Sequence, residues 1–144
     1  MRSSRFRAEF KLVSMINTQL INPRSIAVVG ASNDVKKPGG KILKNILDGK
    51  FSGDIFVVNP GSIQIQGLAS HRNVEDLPQV DLAILAIPAK FCPDVIEVLA
   101  QQKNTRAFIV LSAGFSEANE NGRLLEKQMV AAVNSVNGCL IGPN

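Results

Sequence analysis

The stretch Ser25-Ile-Ala-Val-Val-Gly30, followed by the loop Ala31-Ser-Asn-Asp-Val-Lys-Lys-Pro38 and the pair Gly39-Gly40, decides the fold. Its first part is a continuous apolar, β-branched run, the composition of a strand buried on both faces of a parallel sheet. Pro23 just ahead keeps a helix from running into it. After the polar loop, Gly39-Gly40 opens a helical pattern with Ile42, Leu43, Ile46 and Leu47 on one face and Gly49 as its stop. A buried strand, a turn of small residues and an amphipathic helix, in that order, begin a βαβ unit.

The same alternation continues along the chain. Asp54-Ile-Phe-Val-Val58 reads as a second strand ending at Asn59-Pro60-Gly61, with Ile63 to Gly67 as a short extension. Asn73 to Leu77 reads as one helical turn stopped by Pro78. A third strand, Asp81 to Ile87, ends at Pro88-Ala89, and a helix follows from about Cys92 to Gln102. The fourth strand, Ala107 to Leu111, ends at Ser112-Ala113-Gly114. A long helix from about Asn119 to Val136 carries Leu124, Leu125, Met129, Val130 (or Ala131) and Val133 as its apolar stripe. The last strand, Cys139-Leu-Ile141, runs into Gly142-Pro143-Asn144. Strands that alternate with helices specify a doubly wound α/β fold, Rossmann-like, with helices on both faces of a parallel sheet. The expected sheet has five strands in the order 3-2-1-4-5.

Bulk properties bound the rest. The 144 residues suffice for one domain with a substantial core. A hydrophobic fraction of 45% with 19% charged residues suits a compact globule and excludes a disordered tail. No apolar run approaches the ~20 residues of a membrane span, so no membrane partner is expected. The net charge of +4 is concentrated at the start, where Arg2, Arg5, Arg7 and Lys11 face only Glu9 within the first 14 residues. The remainder is nearly neutral, with no basic stripe and no Trp or Tyr for base stacking, which argues against nucleic acid as a partner. Residues 1–19 read as a disordered leader or tag and residues 20–144 as the domain. Met15 would make a natural start, and an expression tag, a native extension and a targeting peptide are the alternatives for what precedes it. Cys92 and Cys139 stand far apart in apolar contexts, and His71 is the one histidine, so neither a disulfide framework nor a metal site is expected. A reducing cytoplasm is the simplest compartment.

In sheets of this kind ligands bind beyond the carboxyl ends of the strands. Every strand end here is small or rigid, which lets a ligand approach the backbone closely. The turn Gly30-Ala31-Ser32 sits where phosphate is bound, and Gly39-Gly40 starts a helix whose free N–H groups and positive dipole end attract it. Ser32 can donate a hydroxyl. Lys36 and Lys37 can meet a second phosphate or simply be solvated loop residues, and Lys41 in the first helical turn has the same two readings. The nicotinamide fingerprint needs G-x-G-x-x-G and an acidic residue at the end of the second strand. Here Ser32 replaces the second glycine and Asn59 stands at the strand end, which weakens a dehydrogenase reading.

The ordered set Pro23-Arg-Ser-Ile-Ala-Val-Val-Gly-Ala-Ser32, Lys37-Pro-Gly-Gly40, Val58-Asn-Pro60, Ala86-Ile-Pro-Ala89, Ser112-Ala-Gly-Phe115 and Ile141-Gly-Pro-Asn144 resembles the N-terminal domain of ADP-forming acetyl-CoA and acyl-CoA synthetases. It is also similar to the front half of the succinyl-CoA synthetase α subunit. Each motif is weak alone; the set, in order over residues 20–144, is specific. The resemblance implies coenzyme A as ligand. Gly30, Ala31 and Ser32, with the loop Lys36, Lys37 and Pro38 and the pair Gly39 and Gly40, would hold its phosphates. Asn59 and Pro60 would contact the nucleotide end. Ile87, Pro88 and Ala89 with Ser112, Ala113 and Gly114 would line the adenine and pantetheine path. Ser62 stands where the succinyl-CoA synthetase α subunit has a lysine, so that charge is absent here or comes from elsewhere.

The family's phosphohistidine belongs to a later domain, and His71 is read as a surface loop residue that matches nothing catalytic. Cys92 is read as packed beneath its helix. The resemblance therefore implies a coenzyme A-binding part of an ADP-forming ligase, inactive alone, completed by later domains or a subunit and homo- or hetero-oligomeric in full-length form. The alternatives are a stand-alone nucleotide-sensing module, the first domain of a protein acetyltransferase and, last, an NAD-dependent oxidoreductase.

Overall fold

A computed structural model describes residues 16–115 and 117–143. Met15 and the leader ahead of it, and the terminal Asn144, lie outside the described residues. The first described helix, α1 (Thr18–Ile21), is capped by Asn17, whose side chain accepts from Leu20 N. Asn17 Nδ2 donates to Arg106 O at 2.9 Å and Arg106 N donates to Gln19 Oε1 at 2.7 Å. Residues 17–19 are therefore fastened to the fold, and the expected leader boundary after residue 19 is too late by at least these three.

The remaining elements are β1 (Ser25–Val29), α2 (Pro38–Asp48), β2 (Asp54–Val58), β3 (Gln64–Ile65), β4 (Leu68–His71), a 3-10 turn (Val74–Asp76), β5 (Leu82–Leu85), a second 3-10 turn (Ala89–Phe91), α3 (Cys92–Gln102), β6 (Ala107–Val110), α4 (Glu120–Ser135) and β7 (Cys139–Ile141). The α/β Rossmann-like class is as expected, but the sheet has seven strands, in the order β3-β4-β2-β1-β5-β6-β7. All pairings are parallel except β3 with β4.

The expected order 3-2-1-4-5 needs its strands reassigned. The strand expected third, β5, pairs with β1 through Ile26↔Leu82 to Val29↔Leu85, on the side away from β2. The place outside β2 belongs to β4, which pairs through Val57↔Ser70 and Val58↔His71. Counting β4 as the third parallel strand, the six parallel strands run 3-2-1-4-5-6, and the order reverses between β1 and β5. A parallel connection usually needs a helical crossover. Here the chain instead descends as β3 on the outside, turns at Gln66 and Gly67 with φ of 48° and 86°, and returns as β4 between β3 and β2. His71 accordingly sits half-buried in a strand, its ring edge-on to Phe56, and is not a loop residue.

Alternation along the strands divides the core. Ile26, Val28, Val57 and Ile84 pack with Leu43 of α2 on one face. Ala27, Val29, Val58, Leu85 and Phe108 pack with Ile96 and Leu99 of α3 and Met129 and Val133 of α4 on the other. All five β1 positions are buried because helices cover both of its faces. The apolar stripe expected of α4 is only partly used: Met129 and Val133 are buried, Leu125 is half-buried, but Leu124 is 57% and Val130 38% exposed. The buried side of α4 is completed by Gly122 and Ala132 instead.

Two substitutions in α4 test this face. Met129→Ala leaves a cavity in the core and should destabilise the chain by about 2–5 kcal/mol. Leu124→Ala should change stability by no more than about 0.5 kcal/mol. Denaturant unfolding with equal m-values checks both, and an equal loss at Leu124 would refute the rotation of α4.

Candidate functional site

At the carboxyl end of the sheet, where the order reverses, the chain forms a cavity of about 600 Å³. Its floor is the ends of three strands: Val29-Gly30, Val58-Asn59-Pro60 and Ala86-Ile87-Pro88. Phe91 and Val95 at the start of α3 form one wall, and Arg72-Asn73-Val74-Glu75 after β4 form the other. The lining is mostly apolar, as in most small-molecule sites.

Gly30 and Gly39 fix the rim. A Cβ on Gly39 would stand 2.0 Å from Gly30 O, and one on Gly30 would stand 2.3 Å from Ala86 O. The N-terminus of α2 therefore abuts the end of β1, and β1 abuts β5. These glycines make room for the chain's own carbonyls; a ligand is not needed to explain them. Pro38 occupies the first helical position, where its missing N–H costs nothing. Lys37 precedes it in extended conformation, and no side chain caps this end of α2. The first helical bond is Lys41 N to Lys37 O at 2.8 Å, so the Gly39 and Gly40 amides come before the ladder begins.

The loop between β1 and α2 is held from outside. Asn33 Nδ2 donates to Gln64 O and Asn33 Oδ1 accepts from Gln66 N at 2.7 Å. Gln66 Nε2 donates to both Ser32 O and Gly40 O at 2.9 Å. Ser32 Oγ accepts from Asp34 N at 3.0 Å, which leaves its proton free to donate. Ala31 is fully buried on the α2 side of the sheet, so its side chain is core. Asn59 is committed within the protein: Nδ2 donates to Ala31 O and Oδ1 accepts from Gly61 N, each at 2.8 Å.

Of the residues expected to form the site, Gly30, Asn59, Pro60, Ile87 and Pro88 meet in this cavity. Lys36 and Pro38 line a separate groove with Lys41 and Leu111, and Lys37 is exposed beside it. Ala89, Ser112, Ala113 and Gly114 are not among the residues lining the cavity. Ser112 Oγ accepts from Ile87 N at 3.2 Å, and Gly114 lies against Ala89. Ser112 and Gly114 thus buttress the Ile87–Ala89 turn. Cys92 is fully buried beneath the same turn, its sulfur 3.7 Å from Ser112 Oγ. Burial pushes its thiol pKa up, although the Ser112 hydroxyl opposes this, so it is packing rather than a nucleophile. In the following loop, hydrogen bonds from its own backbone amide and from those of Gly114 and Phe115 hold the Glu117 carboxyl below the ordinary glutamate range. Among the described residues no group of three His, Cys, Asp or Glu side chains could hold a metal ion, and no helix is long and apolar enough to cross a membrane.

Sequence reading missed Val29, Val58 and Ala86, which adjoin expected positions, and Arg72, Asn73, Val74, Glu75, Phe91 and Val95, which do not. Arg72 to Glu75 follow a strand with no apolar run. Phe91 was within reach, since it falls at the start of a helix behind a strand end.

The fold and this rim define a nucleotide-binding domain of the Rossmann-like class. Residues 24–142 match the family described as CoA binding domain, and the chain belongs to that family. It is 36% identical over 124 residues to the α subunit of an ADP-forming acetate–CoA ligase of Pyrococcus furiosus, covering 85% of this chain and 27% of that protein. It is 41% identical over 128 residues to a trans-feruloyl-CoA synthase of an unknown prokaryotic organism, covering 88% of this chain and 18% of that one. An acetyl-coenzyme A synthetase of Ca. Korarchaeum cryptofilum superposes with a TM-score of 0.78 at 34% identity, over 88% of this chain and 27% of that one. The chain is thus a coenzyme A-binding domain homologous to one part of ADP-forming CoA ligases. It spans about a quarter or less of the length of these relatives.

Because Gly39 lies against the backbone of Gly30 and Ala31, Gly39→Ala should destabilise the fold by about 1–3 kcal/mol, the usual cost of overpacking, before any ligand is added. A chemical-denaturation curve superposable on that of the parent chain would show that the close approach of α2 to β1 is wrong.

Proposed function

We propose that the cavity between β1, β2 and β5 is the coenzyme A site, and that the chain serves as the coenzyme-holding part of an ADP-forming acyl-CoA ligase. The observation that carries this reading is one juxtaposition: the uncapped N-terminus of α2 abuts Gly30, and Gly30 lines a mostly apolar cavity. A nucleotide diphosphate suits that arrangement. Its phosphates meet the Gly39 and Gly40 amides and the Ser32 hydroxyl, and its base is covered by Val58, Val74, Ile87, Phe91 and Val95.

The fit to NAD is poorer. A dinucleotide site of that type offers a carboxylate to the adenosine ribose at the end of the second strand. Asn59 stands there and its amide is used within the loop. When bound, coenzyme A supplies a thiol for thioester formation with a carboxylic acid. The residues here hold the nucleotide end, and the described chain offers no nucleophile for the acid. The relatives named above act on different acids, acetate and ferulate, yet each is matched by this one domain. The acid is therefore chosen by other parts of the ligase, which would be later domains or a partner subunit in an oligomer. Both cysteines are free and buried, in keeping with a reducing cytoplasm.

Calorimetric titration with coenzyme A, with NAD as control, tests the reading. Heat with coenzyme A and none with NAD is the expected result, and the reverse would overturn it. Phe91 is half exposed and holds no core, so Phe91→Ala should keep the fold and weaken coenzyme A by about 1 kcal/mol, roughly fivefold.

A further inference from the structure

Among the residues lining the cavity, Arg72 is the one cation. It stands one residue past His71, whose carbonyl accepts from Asn59 N at 3.0 Å, so it flanks the end of β2. Its side chain is exposed and forms no ion pair with another described residue. The other candidate cations are placed elsewhere: Lys36 and Lys41 line the groove beside Leu111, and the Lys90 ammonium lies 5.1 Å from the Phe91 ring centroid. Ser62, in the loop just past Pro60, brings no charge. Glu75 is the one carboxylate in the lining, and its backbone carbonyl is tied to Lys103 Nζ.

The ends of a bound nucleotide can be assigned from these positions. The diphosphate belongs at Gly30 and the start of α2. Moving outward across β2 to β4 covers two strand spacings, about 10 Å, a gap that the ribose with its phosphate and the long arginine side chain can close together. There the exposed Arg72 supplies the guanidinium of the lining, while Asn59, at the end of β2 where a carboxylate would hold a free ribose diol, brings no charge. In sheets of this kind an acidic residue marks an unmodified ribose, and an arginine marks a ribose that carries a phosphate. A guanidinium fork also fits a phosphate monoester geometrically.

Resting on the coenzyme A reading, we infer that Arg72 is the specificity residue of the site and binds the ribose 3′-phosphate of coenzyme A, so that it separates coenzyme A from dephospho-CoA. It bonds a group remote from the thiol and takes part in no bond-forming step. The lysines of the loop after β1 are solvated or meet the diphosphate, and do not set this preference.

The test titrates the 144-residue chain and its variants Arg72→Ala and Arg72→Lys with coenzyme A, dephospho-CoA and NADP. The parent should bind coenzyme A about tenfold more tightly than dephospho-CoA, the scale of one charge-assisted contact at an exposed site. Arg72→Ala should bring coenzyme A down to the dephospho-CoA level and leave dephospho-CoA binding and the melting temperature unchanged. Arg72→Lys should retain part of the preference, and added salt should weaken coenzyme A more in the parent than in Arg72→Ala. Equal losses for both ligands, or no loss for coenzyme A, would overturn the inference while leaving the cavity as the coenzyme site. A preference for NADP over coenzyme A would overturn the assignment to a 3′-phosphate. Failure of the parent to bind either coenzyme A or dephospho-CoA would remove the coenzyme reading itself, and the inference with it.

Discussion

The contact of Gly39 with the carbonyl of Gly30 constrains everything on the upper rim. At that approach no side chain fits between helix α2 and strand β1. The helix end is therefore pinned against the strand end, and its leading amides are held where a phosphate can meet them without any side chain having to be placed. The same tightness recurs at Gly30 against Ala86, which draws β5 up beside β1 and sets the width of the cavity floor. Packing and ligand geometry are one requirement here, because the atoms that fill the space left by the missing Cβ are the carbonyls that fix the turn.

Hydrogen bonds then make the rim rigid. The loop between β1 and α2 is mostly polar and exposed, yet four bonds made by Asn33 and Gln66 tie it and the start of α2 to the β3–β4 hairpin. Asn59 locks the opposite side by bonding Ala31. The small β3–β4 hairpin thus does two things. It extends the sheet beyond β2, and it positions the residues after His71 that complete the cavity wall. A preorganised rim of this kind loses little freedom when a nucleotide arrives.

Much of this architecture was legible in the sequence because it rests on local signals. The run Ile26 to Val29, buried on both faces, could be little else, and the α3 boundaries at Cys92 and Gln102 coincide with those read from the apolar period. What escaped was set by distant partners. Leu68-Ala-Ser-His71 has no apolar run and is a strand only because β2 and β3 flank it. Once that strand was missed, the neighbours of β2 were misassigned and Arg72 could not be placed. Leu124 and Val130 fit a helical stripe equally well on paper, and only the position of α3 decides which side of α4 is covered. Asn17 and Gln19 read as leader because their partner, Arg106, is almost ninety residues away. The small residues of the rim read as room for a ligand, yet several of them accommodate the chain's own carbonyls.

The start of α2 and the loop after β6 both carry backbone amides, and they differ in what occupies them. At the loop after β6, the amides of Gly114 and Phe115 are already taken by the Glu117 carboxylate, at 2.6 and 3.0 Å. That bond persists above the lowered pKa of Glu117 and loosens only as pH falls through it, so at neutral pH a ligand would have to displace an ionised partner from the same chain. At the start of α2 no internal carboxylate or hydroxyl caps the helix, and the favourable end of its dipole is left to whatever binds. An incoming diphosphate therefore meets one prepared anion site and one that is filled. Arg72 lies on the β2 side of the prepared one, away from the loop after β6. A nucleotide with its diphosphate on α2, as proposed, would extend its ribose toward the cavity's one cation and away from a loop whose amides Glu117 already occupies.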